Sequence, residues 1–147
     1  MNTRLLIVCL CLVFTAQASR AQTSESPWDR PEVRQAFVDE SAMLPVSSQH
    51  LTPGRVENRP LDMPGMPAFF LVGADPQSLQ WLADRADELT AINAAGLAVK
   101  VRDAADLQRI RDAAPSLTIL PVNGDSIAQR LQIEHYPVLI TSQSLEQ

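Results

Sequence analysis

The chain has 147 residues, 12 Lys and Arg against 17 Asp and Glu, and a formal charge of −5. One domain's worth of sequence excludes a large multi-part enzyme, and the acidic balance argues against direct DNA or RNA binding, which needs a basic stripe for phosphates. A hydrophobic share of 46% supports a packed core, and five scattered glycines cannot build a nucleotide-binding loop.

Residues 1–18 read as an export signal. Arg4 supplies a short basic start, Leu5–Thr15 an apolar run, and Ala16-Gln17-Ala18 a cleavage site, with Ala21 as the alternative end. The run is too short for a bilayer, which takes ~20 apolar residues. No second run of membrane length follows, so the mature chain is expected to be exported without a transmembrane segment. Both cysteines, Cys9 and Cys11, fall inside the signal. The mature chain is then expected to form no disulfide, no thiolate metal site and no thiol nucleophile.

Seven of the eleven prolines fall in residues 19–67. Proline fixes φ and removes a backbone donor, so this stretch reads as a proline-rich arm. One short helix is expected over Pro31–Met43, where Val33, Ala36 and Phe37 share a face. Leu44–Pro67 is expected to be extended, lying on the domain or on a partner, or to be plainly disordered.

Residues 68–147 read as an α/β domain. Ala68–Val72 has strand length, and Asp75-Pro76 supplies an N-cap and a first-turn proline. A helix carrying Leu79, Leu82, Ala83, Ala86 and Leu89 follows and is expected to stop at Gly96. Leu97–Arg102 alternates as a strand. Asp103 caps a helix with Leu107, Ile110 and Ala114, and Pro115 ends it. Leu117–Val122 is a third strand, a short helix carries Ile127, Ala128 and Leu131, and Tyr136–Thr141 is a fourth strand. Alternation of this kind predicts a roughly four-stranded, mostly parallel sheet with flanking helices.

Two features stand out as candidate partner-binding sites. In His135-Tyr136-Pro137 the only tyrosine precedes a proline that opens a strand. A cis bond there would leave the backbone of residue 136 open to a peptide or partner; the alternative is a turn that aims the last strand into the sheet. The second is Trp81. At ~100° per residue it falls outside the stripe of Leu82, Ala86 and Leu89, beside Arg85 and Glu88. It is expected either to lie under the proline-rich arm or to anchor a partner. No metal or cofactor site is expected. His50 and His135 lie in different halves, and Met63-Pro-Gly-Met66-Pro67 is a poorer copper site than a gap filler. No general acid–base pair stands out, so no catalytic residue is assigned.

Two resemblances follow from these residues. The stretch from Phe69 to Ala95, with residues 122–140, resembles a thioredoxin-like fold, in which Ile133-Glu-His-Tyr-Pro137 matches the turn that carries a cis proline. The place of that fold's redox pair reads Ala74-Asp75-Pro76-Gln77-Ser78, without cysteine, so dithiol chemistry is expected to be absent. The chain as a whole is similar to a family of exported proteins encoded on integrating conjugative elements. That likeness rests on the signal, the arm, His135–Thr141 (HYPVLIT) and the ending Leu145-Glu-Gln147; the second half also resembles TrbC-type conjugative transfer proteins. The resemblance implies a non-catalytic periplasmic component of a type IV secretion-like transfer apparatus, with other conjugative transfer proteins as partners. A periplasmic peptide-binding chaperone and a hydrolase or isomerase remain as alternatives.

Overall fold

The computed structural model describes residues 40–147. The expected export signal, both cysteines and residues 31–39 of the expected first helix lie outside them. What remains of that helix, Glu40–Met43, is a single 3-10 turn.

Nine short strands and three helices follow in order: β1 (Val46–Ser47), β2 (Thr52–Pro53), β3 (Arg59–Pro60), β4 (Phe69–Gly73), α1 (Pro76–Ala91), β5 (Ala95–Val101), α2 (Ala104–Ala113), β6 (Ile119–Pro121), α3 (Asp125–Leu131), β7 (His135–Tyr136), β8 (Val138–Ile140) and β9 (Ser144–Glu146). The fold is a mixed α/β one. Seven strands form the main sheet in the order β1-β5-β4-β8-β9-β3, with β6 also on β5. Because β4 takes one flank of β5, β6 and β1 follow one another along the other flank.

The expected four-stranded, mostly parallel sheet needs correction. Within the main sheet only β4–β5 and β5–β6 run parallel, whereas β1–β5, β4–β8, β8–β9 and β3–β9 are antiparallel. Helical and strand periodicity records which residues are buried, not the direction in which a strand returns. After α3 the chain re-enters beside β4 in reverse and turns back through a hairpin closed by the Thr141 N–H on the Ser144 carbonyl at 2.9 Å. The extra strands come largely from the proline-rich segment, which reaches β5 through β1 and β9 through β3. The expected single strand Tyr136–Thr141 is two strands split at Pro137. Here β7 pairs with β2 and β8 with β4, and the Tyr136–Pro137 bond is cis.

Successive residues of β4 and β5 face opposite sides, which builds two cores. Phe70, Val72, Ala98 and Val101 pack under α1 and α2. Leu71, Val99, Val138 and Ile140 pack on the other side with α3, Leu51 and Tyr136. Helix α1 starts as its sequence demands, with Asp75 as N-cap and Pro76 in the first turn. It ends at Ala91 rather than at Gly96, with Asn93 in the left-handed region at φ 52°. Gly96 instead sits inside β5, where an added Cβ would meet Phe70 and Ile119.

Two stretches of the main sheet's margin, β6 and β3, are poor templates for a further strand. In β6, the backbone groups of Thr118 and Val122 bond to β5, so those of Ile119 and Pro121 face away from it, while both side chains are buried. Pro121 has no N–H to offer, and the Ile119 carbonyl accepts from Arg111 Nη2 at 2.7 Å. At the other margin β3 is two residues long and ends in Pro60.

Candidate interaction site

Pro137 leads into β8, and β8 lies beside β4, so the His135-Tyr136-Pro137 corner faces the end of β4 and the start of α1. Asp75 Oδ1 accepts from the Ser78 N–H at 2.9 Å, and Asp75 Oδ2 accepts from the Ser78 hydroxyl at 2.8 Å. The same hydroxyl accepts from the Gly73 N–H at 3.1 Å, and Ser78 is fully buried. Both carboxylate oxygens and the hydroxyl are therefore engaged in holding the helix start. Tyr136 closes over them: an added Cβ on Gly73 would lie 2.6 Å from its Cε2 and 2.9 Å from its hydroxyl. Burial pushes the Tyr136 phenol up to about 12, with the Asp75 charge adding to the effect.

The expected open backbone at residue 136 is already taken by the chain itself. The Thr52 N–H donates to the Glu134 carbonyl and the Gly54 N–H to the Tyr136 carbonyl, each at 3.0 Å. His135 Nδ1 lies 3.0 Å from the Thr52 hydroxyl, not against a carboxylate. Buried Leu51 fixes the strand from one side. Gln147 fixes it from the other, with its side-chain N–H groups on the Gly54 carbonyl at 2.7 Å and the Pro137 carbonyl at 3.0 Å.

A groove of about 560 Å³ runs beside this corner, lined in part by His50, Gln129, Glu134 and His135. The two histidines, far apart in sequence, thus share one groove. His50 is held there by Asp125, 3.3 Å from its Nδ1. The His50 and Gln49 backbone N–H groups hold the Asp125 carboxyl well down, at about 2. Among the described residues no group of three or more His, Cys, Asp or Glu is arranged to hold a metal ion.

Trp81 lies elsewhere, and its expected position on the polar face needs correction. It is 9% exposed and sits in the core under α1, its ring 6.0 Å from that of Phe70. The buried face of α1 is Ser78, Trp81, Leu82 and Leu89, and Ala83 is exposed. The core stripe is thus turned toward Trp81, because a large aromatic flank buries more area than an alanine flank. Arg85 covers the outer face of the ring at 5.5 Å and pairs with Glu88 at 2.8 Å. Tyr136 belongs to the opposite core, so the sheet separates the two candidate features.

Sequence reading missed one concave apolar surface. Met63, Met66, Phe69, Ile127 and Leu131 line a groove of about 240 Å³ between the Met63–Met66 turn and α3. The methionine spacing was visible, but its helical counterpart is far along the chain.

A family-model comparison matches residues 8–145, and the chain belongs to the family described as protein of unknown function (DUF2859). No curated protein and no solved structure matches it. No described helix is long and apolar enough to cross a membrane.

Proposed function

We propose that this DUF2859-family chain is an exported, non-catalytic component of a conjugative transfer apparatus, and that it works by binding other proteins in the periplasm. The observation that carries the reading is the Asp75–Ser78 network. In a thioredoxin-like fold the start of the helix after the central strand, beside the proline-led strand, carries the reactive pair. Here every polar side-chain atom of Asp75 and Ser78 at that place is engaged in capping α1. The strand order β5-β4-β8-β9, with β4 and β5 parallel and β8 and β9 antiparallel to their neighbours, favours the thioredoxin-like assignment. The export signal read in residues 1–18 and the run His135–Thr141 favour the compartment and the apparatus.

Two uses of the Tyr136 corner are disfavoured by the same geometry. Strand addition there requires removal of β2, and among the described residues His135 has no carboxylate partner of the kind a general base uses.

The test is a donor strain deleted for this chain and complemented in trans. Transfer is expected to collapse on deletion. It is expected to return with the wild-type chain and with folded Asp75→Asn and His135→Ala variants, since neither side chain performs chemistry. Undiminished transfer from the deletion strain overturns the role in conjugation. Failure of a folded His135→Ala chain, with normal partner recovery, overturns the non-catalytic reading.

A further inference from the structure

The Met63-Pro64-Gly65-Met66 turn is closed by the Met66 N–H on the Met63 carbonyl at 3.1 Å. It is tied to the β8–β9 hairpin by Leu61 N–H on the Gln143 carbonyl at 2.8 Å and Met63 N–H on the Ser142 carbonyl at 2.9 Å. The turn is therefore a fixed wall. It sets two half-buried thioethers opposite Ile127 and Leu131 of α3, with Phe69 of β4 between them.

Size and charge narrow the occupant. The space of about 240 Å³ exceeds the ~150 Å³ that admits one benzene ring and falls below the ~300 Å³ where small-molecule sites begin. It suits one bulky side chain delivered by a larger molecule. Methionine walls adapt to side chains of different shape. Among the described residues Arg130 is the one charged residue lining the groove and makes no ion pair, and it is exposed. A carboxylate beside the entering side chain would complement it.

We propose that this groove seats a single large apolar side chain from an acidic segment of another protein, with a neighbouring Asp or Glu of that segment on Arg130. The proposal rests on the interaction role above and names the surface that performs it.

A display library of random linear peptides, selected on the full chain, tests this directly. The selected peptides are then titrated by fluorescence polarisation. Peptides with Leu, Phe, Met or Trp near an Asp or Glu are expected. Their binding should weaken about tenfold or more in Ile127→Asp, as for loss of a central anchor. Arg130→Glu, a surface change that leaves the fold intact, should weaken the same peptides and shift selection toward Lys and Arg. An empty selection, peptides without acids, or affinities unmoved by Arg130→Glu overturn the proposal. So does binding to phosphatidylglycerol vesicles in place of peptides. A donor carrying Arg130→Glu separates this failure from that of the wider reading. Normal transfer there, with none from the deletion strain, removes the groove and leaves the conjugative role standing.

Discussion

Gly54 lies directly against the imidazole of His135: a Cβ at residue 54 would stand 2.8 Å from both Cγ and Nδ1 of that ring. The contact lets the Gly54 N–H reach the Tyr136 carbonyl and keeps β2 on β7. Gly54→Ala is expected to cost about 1–3 kcal/mol, the usual range for overpacking. In His135→Ala the same substitution should cost much less. Urea unfolding of the four proteins in that cycle measures the coupling, and strictly additive costs would contradict it.

The Asp75 cap is expected to behave as a structural one. Asp75→Ala should lower stability by about 0.5–2 kcal/mol, since it removes the acceptor for the Ser78 N–H and leaves the buried Ser78 hydroxyl without its carboxylate. Asp75→Asn keeps an acceptor for the N–H and should lie between the two. Chemical denaturation midpoints rank the three proteins.

Acid sensitivity should centre on two carboxyls. The Arg102 guanidinium, with Arg109 beyond it, holds Asp106 down at about 2, and the His50 and Gln49 backbone N–H groups hold Asp125 at about 2. A depressed folded-state pKa contributes stability that is complete above the unfolded pKa and is lost as pH falls through the folded one. Stability is thus expected to be level from neutrality to about pH 5 and to drop between about pH 4 and 2. Asp106→Asn should flatten part of that drop. A pH series of thermal melts shows whether it does.

The β6 margin should be a barrier to self-association. Arg111→Ala frees the Ile119 carbonyl, and Pro121→Thr adds an N–H to the same outward side. The double variant is expected to form dimers or larger species, while each single variant stays closer to wild type. Size-exclusion chromatography with light scattering reads the outcome.

Gln147 should hold the proline-rich segment in place. Its side chain bonds to Gly54, Val56 and Pro137, and its backbone N–H donates to Asn58 Oδ1 at 3.0 Å. Gln147→Ala is expected to cost about 1–3 kcal/mol, given ~1 kcal/mol for each net hydrogen bond lost. Hydrogen exchange at Val56 should rise more than at Phe70, which sits in the central strand.

Local chemistry made the helices legible. Asp75 and Asp103 cap α1 and α2 as their side chains require, and Pro76 opens the first of these. The strands around Leu71, Val99 and Leu139 were legible as apolar runs. Strand direction was not, because burial periodicity is the same for a strand running either way. The two-residue strands β1, β2 and β3 were illegible for a different reason. They carry no period of their own and exist because β5, β7 and β9 offer them partners. Trp81 was misplaced by a wheel that gave alanine and leucine equal weight with an indole. The groove at Met63 and Met66 was half legible, since its other wall is formed by Ile127 and Leu131.

The proline-rich segment spans the sheet from margin to margin, and this has a consequence for how the molecule is made. A ribosome releases Val46 and Arg59 long before Val101 and Leu145, the residues opposite which they must settle. What is synthesised early is completed late. Until the final hairpin is delivered, the border that β3 and β9 share stays bare, and a chain stalled just short of Ser144 would be left with a loose end at its front as well as at its back.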